Sequence, residues 1–138
     1  MTLFEECLEA LGKDAKVLTE DDTTKIFAQL ESCFPMVYIA ESIWSRVDWS
    51  KISNKYTIDA DINKTIEILK SNNLNIDNNV FILWNEATLP VVETKLNKIL
   101  ENIDDVIAVG FDTWIYCPYS NYLIEFYHEN EITLGVCN

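Results

Sequence analysis

The side chains best suited to nucleophilic catalysis in this sequence are Cys117 and His128, the second being the single histidine of the chain. Nucleophilic catalysis requires a thiol or hydroxyl within hydrogen-bond reach of a base. Both residues lie in a segment rich in β-branched and aromatic side chains, which is typical of paired strands. If Cys117 pairs with Tyr122 there, His128 lies opposite Phe111, about 20 Å along the strand from Cys117. A Cys117–His128 dyad is therefore not expected.

The same register brings together two carboxylates, Asp112 and Glu125. As diagonal neighbours on one face of paired strands they would lie roughly 7 to 8 Å apart. That separation suits acid/base chemistry on a glycoside, so a small carboxylate-based hydrolase is one interpretation of the chain. Carboxylate pairs also arise by chance in so acidic a sequence, and for this reason the hydrolase is kept only as an alternative.

No metal or cofactor site is predicted. Residues 59–63 resemble the start of a calcium loop, but Lys64 and Lys70 occupy the positions where that loop needs glycine and glutamate. The cysteines have no CxxC spacing and no cluster of histidines beside them, so a zinc site is not expected, and we predict that they are reduced core residues. These cysteines are Cys7, Cys33, Cys117 and Cys137.

The segment 104–137 must position most of these side chains, and its pattern predicts a three-stranded antiparallel meander. The first strand is predicted over about 106–117. Because the apolar face of the first strand falls on odd positions and that of the second on even positions, the loop between them must have an even length, as 118–121 has. The next loop must be odd, and 129–131 fits. The predicted pairs are Cys117 with Tyr122, Ile115 with Ile124, and Thr113 with Phe126.

The opposite face of this meander combines large aromatic side chains with carboxylates. By the same register Asp112 faces Tyr127, Trp114 faces Glu125 and Tyr116 faces Leu123. Such a face is either half-covered by a helix or left open for a partner. If it is open, the predicted partner-binding residues are Asp112, Trp114, Tyr116, Glu125, Tyr127, Glu129 and Glu131.

The rest of the chain predicts further helices and short strands. Thr2 and Thr19 are placed to cap two helices, the second of which ends before Pro35. A third helix follows residues 59–61, and a fourth is predicted from Pro90 to Ile103 with Val92 on its buried side. Short strands are predicted at 36–39 and 55–58, and a strand covered on both faces at 80–84.

Together these elements predict one α+β domain over residues 1–138, with about four helices packed on a mainly antiparallel sheet that ends in the meander. Between the short strands, Trp44 and Trp49 flank Arg46. Aromatic rings beside an arginine form a stacked surface pair, a binding pocket, or an anchor for an irregular segment, and the sequence favours the anchor.

Charge is the strongest global feature of the sequence. The formal net charge is −13, divided into −5 over residues 1–34, −1 over 35–98 and −7 over 99–138, where no lysine or arginine follows Lys98. A negative field repels nucleic acid and anionic membranes and attracts basic partners, although it also serves solubility alone. The N-terminus lacks a basic segment followed by an apolar one, so we expect a cytoplasmic protein.

Three blocks of the sequence resemble a known family. VFILWNEATLP (80–90), DDVIAVGFDTWIYCP (104–118) and YLIEFYHENEITLG (122–135) are similar to immunity proteins of contact-dependent growth inhibition systems. The resemblance implies a cytoplasmic protein that binds and neutralises the toxic C-terminal domain, often a nuclease, delivered by a neighbouring cell. It assigns no catalytic or binding residue.

We therefore expect a non-enzymatic protein, without cofactors, that neutralises a basic toxin domain. An acidic partner can occupy the basic substrate groove of a nuclease and associate with it rapidly. The alternatives are an acidic adaptor module unrelated to toxins and the hydrolase that uses Asp112 and Glu125.

Overall fold

A computed structural model describes residues 1–40, 43–58, 62–86 and 88–137, with Ile43 described by its backbone only. The α-helices within these ranges are α1 (Leu3–Leu11), α2 (Glu20–Cys33), α3 (Asn63–Ser71), α4 (Leu96–Glu101) and α5 (Ile103–Ile107). The strands are β1 (Lys16–Val17), β2 (Met36–Ala40), β3 (Ile43–Val47), β4 (Lys55–Ile58), β5 (Asn79–Trp84), β6 (Val92–Lys95), β7 (Thr113–Cys117), β8 (Tyr122–Tyr127) and β9 (Glu131–Val136), and a 3-10 helix spans Trp49–Lys51.

The strands form one large sheet and one hairpin. The large sheet has seven strands in the order β1-β6-β5-β7-β8-β9-β4, and each neighbouring pair is antiparallel. Strands β2 and β3 form a separate antiparallel hairpin. The predicted α+β class with a mainly antiparallel sheet is confirmed.

The large sheet is covered on both faces, so the structure has three layers. On one face, helices α1, α3, α4 and α5 pack through residues such as Cys7, Leu69 and Ile99 against Ile115 and Ile124. On the other face, α2 and the hairpin pack against alternate residues of the same strands. The members of this second cluster include Leu30, Phe34, Trp44, Val47, Leu83, Trp114, Tyr116 and Leu123. Because both faces are buried, β5 is a continuous apolar run, as its sequence predicted.

The meander has the predicted register at its first turn. The three predicted pairs, Cys117 with Tyr122, Ile115 with Ile124 and Thr113 with Phe126, are confirmed. The second turn begins one residue earlier than predicted, because Tyr127 pairs with Glu131. The intervening three residues keep the predicted odd length, and Asn130 takes the predicted left-handed conformation with φ of 64°.

Two boundaries near the meander were predicted wrongly. The first strand of the meander was predicted from about residue 106, but residues 106 and 107 end helix α5, so β7 begins only at Thr113. The predicted helix from Pro90 is a strand over Val92–Lys95, and the chain becomes helical at Leu96. The reason is that β6 pairs with both β5 and β1, and this pairing buries Val92 and Thr94 with a period of two.

The caps of the first two helices are confirmed. The Glu5 amide donates to Thr2 Oγ1 at 3.1 Å, and the Thr2 amide donates to Glu5 Oε1 at 3.0 Å, so both halves of a capping box are present. The hydrogen bond from the Thr2 amide is the main reason why the pKa of Glu5 is lowered. Thr19 Oγ1 accepts from the Asp22 amide at 3.1 Å. The acids at 59–61, predicted to start α3, lie outside the described residues.

The prediction that all cysteines are reduced is wrong for two of them. Cys33 and Cys137 form a disulfide with a Cα–Cα distance of 5.8 Å, whereas Cys7 and Cys117 are free and buried. Cys33 ends α2 and Cys137 follows β9, so a pairing across 104 residues depends on α2 packing against the sheet. Sequence spacing carries no signal of that packing.

Candidate partner-binding surface

Glu125, on the inner strand β8, is fully buried and accepts four hydrogen bonds. Its Oε1 accepts from Arg46 Nη2 at 3.1 Å and from Trp49 Nε1 at 2.9 Å. Its Oε2 accepts from the Val47 amide at 2.8 Å and from Trp114 Nε1 at 3.0 Å. Each carboxylate oxygen thus has two donors, and one of the two donors to Oε1 is the Arg46 guanidinium, so the buried charge is both hydrogen-bonded and paired.

These contacts attach the β2–β3 hairpin to the sheet. Arg46 and Val47 belong to β3, and Trp49 to the 3-10 helix that follows it. Trp44 adds an edge-on ring contact with Trp114, with ring centroids 5.8 Å apart. The tryptophans flanking Arg46 therefore anchor the hairpin, as the sequence favoured.

The mixed aromatic and acidic face of the meander is covered and not open. Asp112, Trp114, Tyr116 and Glu125 are 2%, 1%, 1% and 0% exposed. Helix α2 and the hairpin cover Trp114, Tyr116 and Glu125, so the cover is more extensive than the half-covering helix that was one of the two predicted alternatives. These four predicted partner-binding residues do not reach the surface, and they hold the fold together instead.

The other three predicted partner-binding residues lie at the far end of the meander. Glu129 and Glu131 are exposed, and Tyr127 is half-buried. The guanidinium of Arg46 lies 4.1 Å from the centre of the Tyr127 ring, and its Nη2 donates to Glu131 Oε2 at 3.2 Å. Burial lowers the pKa of Arg46, but the neighbouring Glu125 and Glu131 outweigh this effect and raise it, so the group remains charged. Contact of these three residues with a partner stays a prediction.

Asp112 lies beyond the end of the β7–β8 ladder and holds His128. Its Oδ1 accepts from the His128 amide at 2.7 Å and lies 3.0 Å from His128 Nδ1. The imidazole stacks on Phe111, with ring centroids 4.0 Å apart, which agrees with the predicted placement of His128 opposite Phe111. Because Asp112 and Glu125 are both buried and each is held by its own donors, a glycoside would reach neither in this conformation.

A groove of about 450 Å³ opens between α2 and the segment that follows β5. The sequence pointed to a pocket only as an alternative for Trp44, and it gave no sign that α2 would contribute. The groove draws residues from four separate parts of the chain, so only the tertiary structure assembles it. Its lining residues are Thr23, Thr24, Phe27, Glu31, Trp44, Trp84, Asn85, Glu86, Leu89 and Trp114.

Two further properties concern only the part of the chain that the structure describes. No group of three or more histidine, cysteine, aspartate or glutamate side chains is arranged there to hold a metal ion. No helix among those residues is long and apolar enough to span a membrane.

The chain matches known proteins in two comparisons. A 36-residue stretch is 50% identical to the uncharacterized protein YqzI of Bacillus subtilis (strain 168), covering 26% of this chain and 69% of that protein. A family model described as CdiI immunity protein EcoliA0-like matches residues 1–135. Since that match extends over nearly the whole sequence, the chain belongs to the family of EcoliA0-like CdiI immunity proteins.

Proposed function

We propose that this immunity protein neutralises its cognate toxin by binding a basic domain of it, most simply the catalytic domain of a nuclease, without performing any bond-making chemistry of its own. Family membership places the chain among toxin-neutralising immunity proteins, which argues against an adaptor unrelated to toxins. The observation that supports a basic domain as the partner is the net charge of −13, of which −7 falls within residues 99–138.

The physical basis of the proposal is electrostatic complementarity. A nuclease must present positive potential to its substrate, because phosphate contacts supply most of the affinity for nucleic acids. A protein with strong negative potential is drawn to the same surface and competes with the substrate. Attraction of this kind mainly raises the association rate, which an inhibitor needs when the toxin has just entered the cell.

Four of the predicted partner-binding residues are buried, so they leave a smaller surface for contact with the toxin. They are Asp112, Trp114, Tyr116 and Glu125. Glu129 and Glu131 are exposed at one end of the meander, and Glu31 and Glu86 are exposed at the groove. By contrast, the buried Glu125 is already compensated by Arg46 and contributes little field outside the protein. The proposed interface therefore consists of these exposed glutamates, whereas the buried Glu125 stabilises the fold.

The test is a binding experiment with the C-terminal domain of the cognate toxin, whose gene we expect to lie immediately upstream of this one. We expect a 1:1 complex whose association rate falls steeply as the salt concentration increases, and we expect the immunity protein to abolish the activity of the domain on RNA or DNA. A complex that lacks salt dependence, or a toxin domain with an acidic binding surface, would contradict the proposed basic partner. Absence of any complex would contradict the proposed function itself.

A further inference from the structure

We infer that the groove between α2 and the segment after β5 receives an arginine or lysine side chain of the toxin. This inference rests on the proposed function and names the contact through which it operates. It depends on three features: an aromatic wall, two carboxylates at the rim, and an apolar surface beside the groove.

The aromatic wall is formed by side chains from three elements. Phe27 of α2 packs against Trp44 of β3 with ring centroids 5.0 Å apart, and Trp44 packs edge-on against Trp114 of β7 at 5.8 Å. The ring of Trp84 belongs to the opposite face of the sheet, where its Nε1 donates to the Val106 carbonyl at 2.9 Å. Trp44 and Trp114 are 5% and 1% exposed, so they hold the half-buried Phe27 in place, and the ring of Phe27 is the aromatic surface that the wall offers to a ligand. Because the core fixes this ring, the wall is formed before any ligand arrives.

The rim carries negative charge from two separate elements. Glu31 belongs to α2 and Glu86 to the segment after β5, and both are exposed. The Tyr38 hydroxyl donates to Glu31 Oε2 at 3.0 Å, which orients this carboxylate. Among the residues that the structure describes, no lysine or arginine lines the groove.

This combination selects a cation on a long side chain. A guanidinium or ammonium group over an aromatic face is attracted by the ring, and the attraction grows when water is excluded. The two carboxylates add charge-assisted hydrogen bonds, which are stronger than neutral ones. An anion would be repelled, and a purely apolar group would remove water from Glu31 and Glu86 without replacing its hydrogen bonds.

Strand β2, which contacts the groove through Tyr38, carries three exposed apolar residues. Val37, Tyr38 and Ile39 of β2 are 40%, 49% and 68% exposed, and Tyr38 touches the rim through Glu31. Exposed apolar residues grouped around a pocket are typical of protein interfaces, in which a central anchor is surrounded by contacts that exclude water. The occupant is therefore a basic side chain presented by a protein surface and not a free small cation.

The first experiment compares two charge-neutralised variants with the wild-type protein in toxin binding. The groove variant is Glu31→Gln with Glu86→Gln. The matched control is Glu9→Gln with Glu67→Gln, which removes the same charge from exposed sites on α1 and α3, the helices that cover the opposite face of the sheet. We expect the dissociation constant at physiological salt to rise about tenfold to a hundredfold for the groove variant and less than about threefold for the control.

The results separate this inference from the proposed function. If the wild-type protein binds the toxin and the two variants weaken binding equally, or not at all, the groove is not the contact, while the proposed function stands. If the wild-type protein fails to bind, both proposals fail. Thermal unfolding of each variant verifies that a loss of affinity does not come from a loss of folded protein.

A double-mutant cycle then identifies the basic residue. Each exposed arginine and lysine of the toxin domain is replaced by alanine and measured against wild-type protein and Glu31→Gln. We expect one toxin residue whose replacement costs clearly less affinity in the Glu31→Gln background than in the wild type. Tyr38→Phe should produce a smaller loss, about threefold, because it removes only the hydroxyl that orients Glu31. Additive effects for every basic toxin residue would overturn the inference.

Discussion

Arg46 Nη2 lies 3.1 Å from Glu125 Oε1, and this ion pair joins residues that are 79 positions apart in the chain. Glu125 is fully buried in the central sheet, whereas the Arg46 side chain is 27% exposed at the edge of the hairpin. The pair helps to close the face of the meander that the sequence predicted to be either half-covered by a helix or open to a partner. The meander carboxylates of Glu129 and Glu131, by contrast, are exposed at one end of the sheet.

Replacement of Glu125 should destabilise the protein strongly. Glu125→Ala leaves Arg46, Trp49, Trp114 and the Val47 amide without their acceptor, so we expect a loss of about 3–5 kcal/mol in the free energy of unfolding. Denaturant unfolding provides the measurement. Glu129→Ala removes an exposed carboxylate from the same meander and should change the stability by less than about 0.5 kcal/mol. Equal stability of the two variants would contradict the stabilising role of the hydrogen bonds that Glu125 accepts.

Charge reversal at the exposed end of the meander should slow association with the toxin. Glu129→Lys places a positive charge where we propose that a positive partner approaches, without disturbing the Arg46–Glu131 contact. We expect the association rate at low salt to fall about tenfold, with a smaller change in the dissociation rate. Stopped-flow fluorescence measures both rates. Glu67→Lys on α3 is the matched control, and an equal effect of both variants would assign the attraction to net charge alone.

The disulfide predicts a specific thiol count. Protein unfolded without reductant should expose two reactive thiols, those of Cys7 and Cys117, and protein reduced beforehand should expose four. Reduction should lower the free energy of unfolding by roughly 2–4 kcal/mol, because the link closes a long loop in the unfolded chain. The variant Cys33→Ser with Cys137→Ser should lose this sensitivity to reductant. Four reactive thiols without reductant would disprove the link.

The buried thiol of Cys7 predicts an alkaline loss of stability. Burial raises the pKa of Cys7 from 9.0 to about 11, with a smaller contribution from Asp105. The pKa of Cys7 is higher in the folded state than in the unfolded state. The stability that depends on a protonated Cys7 is therefore fully present below pH 9 and is lost as the pH rises through about 11. Denaturant unfolding between pH 8 and about 11 should show a steeper decline for the wild type than for Cys7→Ala. Identical slopes would contradict the raised pKa.

Much of the meander could be predicted from local sequence because a sheet has a side-chain period of two. A loop of even or odd length fixes which positions share a face, and the alternation in 113–126 left one consistent register. The turn at Asn130 was predictable as well, because asparagine tolerates a left-handed backbone conformation. The caps at Thr2 and Thr19 depend on neighbouring residues and were equally predictable.

Elements that depend on distant partners were predicted less well. Residues 92–95 have helix-compatible side chains, and only their pairing with β5 and β1 makes them a strand. Four of the predicted partner-binding residues were identified correctly as one face, but the sequence did not reveal that α2 and the hairpin cover it. The groove was missed for the same reason, since its wall and rim come from separate parts of the chain.

The sequence by itself determined the secondary structure of most segments, the two faces of the meander, the acidic character of the chain and its resemblance to immunity proteins. These properties follow from side-chain periodicity, backbone preference and summed charge, which are local or additive. Only the tertiary structure decided which carboxylates are buried, which cysteines pair and where a groove remains open. Those outcomes depend on packing between residues far apart in sequence. Three of the four donors to Glu125 reach it only because the hairpin and the 3-10 helix after it, 76 to 79 residues away in the chain, dock onto its strand.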